Sequence, residues 1–458
     1  MQTENLEIME NAPVSRAILK LSIPTILSTI VSLLYNLTDT YFIGLLDDPI
    51  QLGAISLAFP VFLVVQAIGN IFGNGAPSYI SRCLGSKHYD EVKKTSSVSV
   101  YLAVTATLIM TGLYFIFKNP ILNVLGTSTE TLAPTQDYLN IIVGFGFVLT
   151  LQVVLPAFLR AEGKVREAVI GMVIGTVLNI ILDPVFILLL NQGVAGAAWA
   201  TIIGNVVAVA YYLAVYLKGK TTLSILPSDF KPSVRILSEV LKIGLPASIA
   251  QIFMSFSNIL LNNMAAGYGD YVISAYGVAG KMMSMVFMIV VGYVSGYMPF
   301  AGYNYGANNI RRMTSAMKFT FLTSTVGCLV LLIPFIGFSG DFMSAFTSDE
   351  QIIKTGMMFL RAQAFSIPLL GIQLTMMCTF QATGKAIHAL VVNLGRQCLF
   401  YIPLLYILNS FFQLQGLMYA QTVADYLTTV TAVAIGFHLL RQLHKLDKIN
   451  QETAPVRT

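Results

Sequence analysis

The sequence predicts an all-α polytopic membrane protein, with twelve transmembrane helices in two six-helix lobes related by a pseudo-two-fold axis along the membrane normal. Three observations carry that prediction. Hydrophobic residues make up 55% of the 458-residue chain and charged residues 11%, against about 25% charged in a soluble domain, and mean hydropathy is +0.73. Apolar runs close to the ~20 residues that cross a bilayer recur from end to end. The chain also repeats itself at a spacing of about 222 residues.

In order, the predicted spans of the first half are 19–44, 52–81, 95–117, 135–159, 168–190 and 194–217. Those of the second half are 241–267, 272–303, 319–338, 353–380, 389–410 and 416–440. Barrel strands would alternate polar and apolar residues, and these runs do not. Met1–Ala12 is polar and acidic rather than basic, so the first span is expected to stay in the membrane. Lysine and arginine alternate between the two sides. Arg16 and Lys20 precede span 1; Arg82, Lys87, Lys93 and Lys94 follow span 2; Arg160, Lys164 and Arg166 follow span 4. Lys218, Lys220, Lys231 and Arg235 follow span 6, and Arg311, Arg312 and Lys318 follow span 8. Lys385 follows span 10, and Arg441, Lys445 and Lys448 follow span 12. The opposite loops hold Lys118, Lys354 and Arg361. Both termini are therefore expected in the cytoplasm. The net charge of +5 reads as a topology signal, and no nucleic-acid partner is expected. The four cysteines are scattered with no CxxC spacing, so neither a disulfide nor a metal site is expected from them.

The repeat pairs Leu19-Lys20 and Pro24 with Leu241-Lys242 and Pro246. It pairs Pro77 with Pro299, Ala161–Lys164 with Ala382–Lys385, and Gly196/Trp199 with Gly416/Tyr419. Six spans is an even number, so both halves start on one side, the parallel-repeat geometry of transporters that rock two bundles around a central site. The expected organisation is an N-terminal lobe over 1–217 carrying a cation site, an inter-lobe linker over 218–240, a C-terminal lobe over 241–440 and a tail over 441–458.

Asp39 and Asp183 stand alone inside apolar runs of the first half. A charge at the bilayer centre costs about 2.5–3.5 kcal/mol on insertion scales, so each reads as functional. Tyr35 and Asp39 are four residues apart and share a helix face, with Asn36 beside them; Asn179/Asp183 and Thr201/Asn205 repeat that spacing on spans 5 and 6. Carboxylates, amide, hydroxyl and phenol make a hard-oxygen set suited to a proton or a small dehydrated cation. Each of these residues also has the plainer role of polar glue between helices. Pro24 lies inside span 1, where it removes a hydrogen bond and bends the helix. In the second half the matching positions fall near Leu261 and Leu404, and spans 7 and 10 carry Asn258, Asn262, Asn263 and Gln373 instead of acids. Asp425 is the exception, with Lys281 or Arg396, both read as buried charges, as its expected partner; a packing-only pair and a place in the substrate pocket, with Asn258, are both open readings. Met282, Met283, Met285, Met288, Met376 and Met377 offer an adaptable surface for varied substrates, with ordinary core packing as the alternative.

Three stretches resemble the multidrug and toxic compound extrusion (MATE) family: Pro24 through Asp39–Gly44; Asn179–Pro184 followed by Gly193, Gly196 and Ala200-Thr201; and Pro299 through Tyr303–Ala307 and Arg311-Arg312. The resemblance covers nearly the whole chain and looks closest to the prokaryotic branch of DNA-damage-inducible and staphylococcal-type exporters. It implies a bacterial or archaeal plasma-membrane antiporter, acting as a monomer, that exports amphipathic and often cationic organic compounds. It implies a cation site, for H⁺ or Na⁺, at Asp39, Asn179, Asp183 and Thr201, with Tyr35 in a nearby pocket and Pro24 as the bend of the first helix. No cofactor beyond the coupling ion is implied. A lipid-linked saccharide flippase of the same superfamily is the alternative. An enzyme is not expected: Walker, HExxH and GxSxG motifs are absent, and the GxGD at Gly267–Asp270 falls in a predicted loop.

Overall fold

The computed structural model describes residues 7–44, 48–219 and 221–452, and no strand occurs among them. The helices are α1 (Val14–Gly44), α2 (Pro49–Gly85), α3 (Tyr89–Ile116), α4 (Lys118–Val124), α5 (Leu132–Gly144), α6 (Gly146–Ala161), α7 (Val165–Pro184) and α8 (Gly193–Leu217). They continue as α9 (Val234–Ala266), α10 (Asp270–Gly306), α11 (Ile310–Gly337), α12 (Ser339–Ser344), α13 (Glu350–Ala364), α14 (Ile367–Ala382), α15 (Ala386–Leu394) and α16 (Tyr401–Glu452).

Among the described residues, nine helices are long and apolar enough to cross a membrane, and two bent pairs, α5/α6 at 47° and α13/α14 at 46°, each make one further span. One of the nine runs over Ala386–Leu443, 58 residues. A straight helix of that length would reach about 87 Å, against a hydrocarbon core of ~30 Å. It is broken at Gln413, where φ is 51° and ψ −133°. Counting it as two spans gives the twelve expected from the apolar runs.

The repeat is written into the backbone as well as the sequence. Residues with positive φ recur at matching positions: Lys87 (60°) with Asn308 (56°), Gly163 (83°) with Gly384 (72°), and Asn191 (50°) with Gln413 (51°). Each ends a span at the same point of its half. The turn after Asn191 closes on Gly196, where a Cβ would lie 2.7 Å from the Phe186 carbonyl oxygen. The turn at Gln413 closes on Gly416, where a Cβ would lie 1.9 Å from the Leu408 carbonyl oxygen.

The chain gathers into two compact units. One comprises Met1–Glu10 and Leu27–Ser248, the other Asn11–Ile26 and Ile249–Thr458. The division falls two residues after each of the repeat-related prolines Pro24 and Pro246, both inside helices. In the first unit, α2 and α9 touch backbone to backbone: a Cβ on Gly75 would lie 2.1 Å from the Val240 carbonyl oxygen, and one on Gly244 1.9 Å from that of Ile71. In the second, the start of α1 meets α10 in the same way. A Cβ on Gly296 would lie 2.5 Å from Ser22 Cα, and Ser22 Oγ donates to the Tyr293 carbonyl at 2.7 Å.

The segment after α8 is fastened to the first unit rather than hanging free. Glu162, 2% exposed, accepts from the Thr221 hydroxyl at 2.5 Å and from the Thr222 N–H and hydroxyl at 2.6 and 2.7 Å. Lys164 Nζ lies 3.8 Å from the same carboxylate. On α3, the hydroxyls of Ser96, Ser97 and Tyr101 donate to the carbonyls of Ser224, Leu226 and Ile225.

Candidate cation site and cavity

α7 carries Gly171, Gly175, Asn179 and Asp183 at intervals of four, one continuous stripe down a single face. The upper half of that stripe is a close seam with α8. A Cβ on Gly171 would fall 2.2 Å from the Tyr212 ring, and one on Gly175 2.9 Å from both Ala208 Cβ and the Gly204 carbonyl oxygen. Small residues let helix backbones approach where no hydrophobic effect drives them together. This approach brings the polar half of the stripe against Thr201.

Asn179 is 3% exposed and Asp183 fully buried. One orientation of the Asn179 amide satisfies both of its ends: the nitrogen donates to Asp183 Oδ2 at 3.1 Å, and the oxygen accepts from the Thr201 N–H at 2.9 Å. Directly after Asp183, Pro184 lacks the N–H to continue the ladder, and the helix widens into a π turn over Val185–Leu189. Such turns occur mostly as single bulges inside α-helices, frequently at functional sites.

Asn179, Thr201 and Asn205 line a cavity of about 440 Å³ within the first unit, and Asp183 is bonded to Asn179. Ser32 of α1, Gln66 of α2, Gln152 and Arg160 of α6, and Thr176 complete its polar lining; Phe62, Leu149, Val153 and Met172 supply apolar wall. Gln152 Oε1 is buried with no hydrogen-bond partner among the described residues. The volume lies within the ~300–1,000 Å³ that small-molecule sites occupy, and mixed apolar walls with a few polar groups are their usual lining.

Of the sequence-predicted site residues, the structure joins Asn179, Asp183 and Thr201 and adds Asn205. Tyr35, Asn36 and Asp39 belong to α1, but their side chains lie outside the described residues. Pro24 sits inside the same helix; the Thr25 hydroxyl donates to the carbonyls of Leu21 and Ser22 at 2.9 Å each. Gln66 and Gln152 carry no sequence signal of comparable strength: Gln66 shares its span with Asn70 and Asn74, and Gln152 is a single neutral amide in an apolar run. Arg160 was read only as a topology charge.

In the second unit, Asp425 is fully buried and its Oδ1 accepts from Arg396 Nε at 2.9 Å. Arg396 also lies over the Phe287 ring at 4.8 Å and belongs to a second π turn, Gly395–Leu399. Lys281, expected to be buried and a rival partner, is exposed on α10 and makes no ion pair among the described residues. A lysine ammonium is strongly hydrated, whereas a guanidinium stacks and forks, which favours arginine for the buried pair. Gln373 Nε2 donates to the Asp425 carbonyl at 2.6 Å and to the Thr429 hydroxyl at 2.9 Å. Met282 is 8% exposed, Met285 is half-buried and Asn258 exposed. The Tyr276 hydroxyl approaches Asn258 Oδ1 at 3.5 Å.

The membrane spans of the described residues, with a buried polar cluster and a cavity in the first unit, define an integral membrane protein of the transporter class. The chain belongs to the MatE family, whose model matches it twice, over residues 24–185 and 246–407. The two matches begin on Pro24 and Pro246, the same pairing the repeat gave. It is 34% identical to the multidrug export protein MepA of Staphylococcus aureus (strain MSSA476) over 98% of both chains. It superposes on a crystal structure of MATE in complex with MaL6 with a TM-score of 0.92 at 25% identity, covering 97% of this chain and 100% of that one. An outward-facing multidrug resistance MATE transporter of the MOP superfamily aligns with a TM-score of 0.89 at 25% identity over 97% and 99% of the two chains.

Proposed function

We propose that this protein is a cation-coupled antiporter that exports amphipathic, often cationic, organic compounds by alternating access, with H⁺ or Na⁺ as the coupling ion. The observation that supports it best is the Asn179–Asp183–Thr201 cluster set against the cavity. The full-length relationship to a protein named for multidrug export supports the substrate class. It disfavours the lipid-linked saccharide flippase.

In this reading Asp39 and Asp183 share the ion. Two carboxylates in a low-dielectric site titrate as a coupled pair, so one bound proton or sodium removes most of their repulsion. Loss of the ion to the cytoplasm restores the charge and loads the organic cation. Each elementary charge crossing 100 mV supplies about 2.3 kcal/mol, enough for roughly a fiftyfold gradient. Pro24 and Pro246 serve as the bends through which site occupancy changes cavity shape. The protein acts as a monomer in the plasma membrane of a prokaryote, both termini cytoplasmic, with lobes 1–217 and 241–440 moving about the 218–240 linker.

The test is transport of an ethidium-like dye in proteoliposomes under a pH gradient alone and a Na⁺ gradient alone. One gradient should drive uptake, and Asp39→Asn and Asp183→Asn should each abolish it at unchanged protein levels. Near-normal transport by both variants overturns the coupling model, and transport under neither gradient overturns antiport.

A further inference from the structure

In the second unit an apolar cleft of about 240 Å³ opens between α11, α14 and α16. Met317, Lys318 and Phe321 line it from α11, Met376 from α14, and Val433, Gly436, Phe437 and Leu440 from α16. We propose that this cleft is a binding site for an anionic phospholipid, which lays one acyl chain along the apolar wall and sets its phosphate on Lys318.

The cleft has a shape of its own and is not a chance gap on a lipid-facing surface. Gly436 opens its floor: a Cβ there would lie 2.9 Å from Met376 Sδ. Val433, Gly436, Phe437 and Leu440 follow the one-face spacing of a helix, so the wall runs along α16 as a groove. Phe437, 62% exposed, stands at its edge. The volume is below the ~300–1,000 Å³ of drug-sized pockets, which fits part of a hydrocarbon chain better than a transported compound.

Charge sets the headgroup. Lys318 is the one charged residue in the lining, is exposed, and makes no ion pair among the described residues. Its long stem can lie on the apolar wall while the ammonium reaches the interface. A lysine offers a phosphate a point charge rather than a planar fork. Arg441, one turn beyond Phe437 on α16, is also exposed. The lysine and arginine pattern of the loops puts this end of both helices at the cytoplasmic leaflet, where basic pockets between helices recognise anionic headgroups. No acid lines the cleft, so no lining group compensates Lys318.

The test uses the full chain in detergent with an equimolar mixture of dioleoyl phosphatidylglycerol and dioleoyl phosphatidylethanolamine. These share acyl chains and differ in headgroup charge, and retained lipid is read by native mass spectrometry. The wild type should retain phosphatidylglycerol in excess. Lys318→Gln should lower the ratio about fivefold, the equivalent of about 1 kcal/mol per cation. Gly436→Leu, which fills the cleft, should lower retention of both lipids. Equal retention of the two lipids by wild type, or an unchanged ratio in Lys318→Gln, overturns the headgroup assignment. Undiminished lipid on Gly436→Leu overturns the cleft as the place of binding. Lys318 is exposed, so its variant tests the proposal even if Gly436→Leu folds poorly.

Discussion

Gly175 and Gly204 face one another across the α7–α8 seam so closely that a Cβ on Gly204 would lie 2.6 Å from the Gly175 carbonyl oxygen. The same Cβ would lie 3.2 Å from Asn179 Cβ, so the seam and the polar cluster share one spacing. Gly204→Val should push the helices apart, cost about 1–3 kcal/mol as overpacking does, and carry Asn179 away from Thr201. A lower melting temperature in detergent together with lost dye efflux is the expected result. Wild-type efflux in a destabilised variant would uncouple the seam from the site.

Asn179 accepts from the Thr201 backbone N–H at 2.9 Å while it donates to Asp183, and the Thr201 hydroxyl lies farther off, 3.3 Å from the same end of the amide. Thr201→Val should therefore be mild, changing efflux by less than about threefold. Asn179→Leu removes a donor from a buried carboxylate, a loss of about 1–3 kcal/mol or roughly tenfold in function. Concentration-dependent dye efflux, normalised to membrane protein, compares the two. The reverse order would mean that the hydroxyl itself holds the ion.

The Arg396–Asp425 pair predicts a non-additive mutant cycle. Arg396→Met leaves a fully buried carboxylate uncompensated and should destabilise by about 3–5 kcal/mol. Arg396→Met with Asp425→Leu removes both charges and should recover much of that loss. Thermal melting of Arg396→Met, Asp425→Leu and the double variant settles it; a double variant no more stable than Arg396→Met would show that the pair is not the source.

Glu162 anchors the segment after α8 through three hydrogen bonds. Its repeat counterpart is Thr383, whose hydroxyl donates to the Thr379 carbonyl at 2.8 Å within its own helix end. Glu162→Ala should leave the helices in place but speed tryptic cleavage at Lys218 and Lys231 about tenfold, as local opening costs roughly 1–2 kcal/mol less. Unchanged cleavage kinetics would mean the α3 hydroxyls alone secure the strap.

Much of the fold was legible because a bilayer makes it so. A span must be about 20 apolar residues long, and its backbone must be satisfied within itself, so run length alone finds it. The broken spans were legible as single runs, but their bends at Gly144–Gly146 and Ala364–Ile367 were not, because hydropathy carries no direction. Asp183 and Asn179 were legible as polar residues four apart. The Gly171/Gly175 stripe above them passed unmarked, since a glycine in an apolar run adds nothing to hydropathy and declares itself only when a second backbone comes close. Asp425 was legible as a charge needing a partner, and its choice of Arg396 was not.

The sequence by itself determined that this is a membrane protein of two homologous six-span halves, with its acids concentrated in the first. Those properties follow from transfer free energy and from residue identity, which are local. The tertiary structure decided which helices approach within backbone contact, which face of Asn179 meets Asp183, where the cavity lies and how the inter-lobe segment is tied down. Each of these depends on the distance between residues far apart in the chain. Hydrogen bonds and close packing are lost within about an ångström of displacement, so no one-dimensional pattern specifies them.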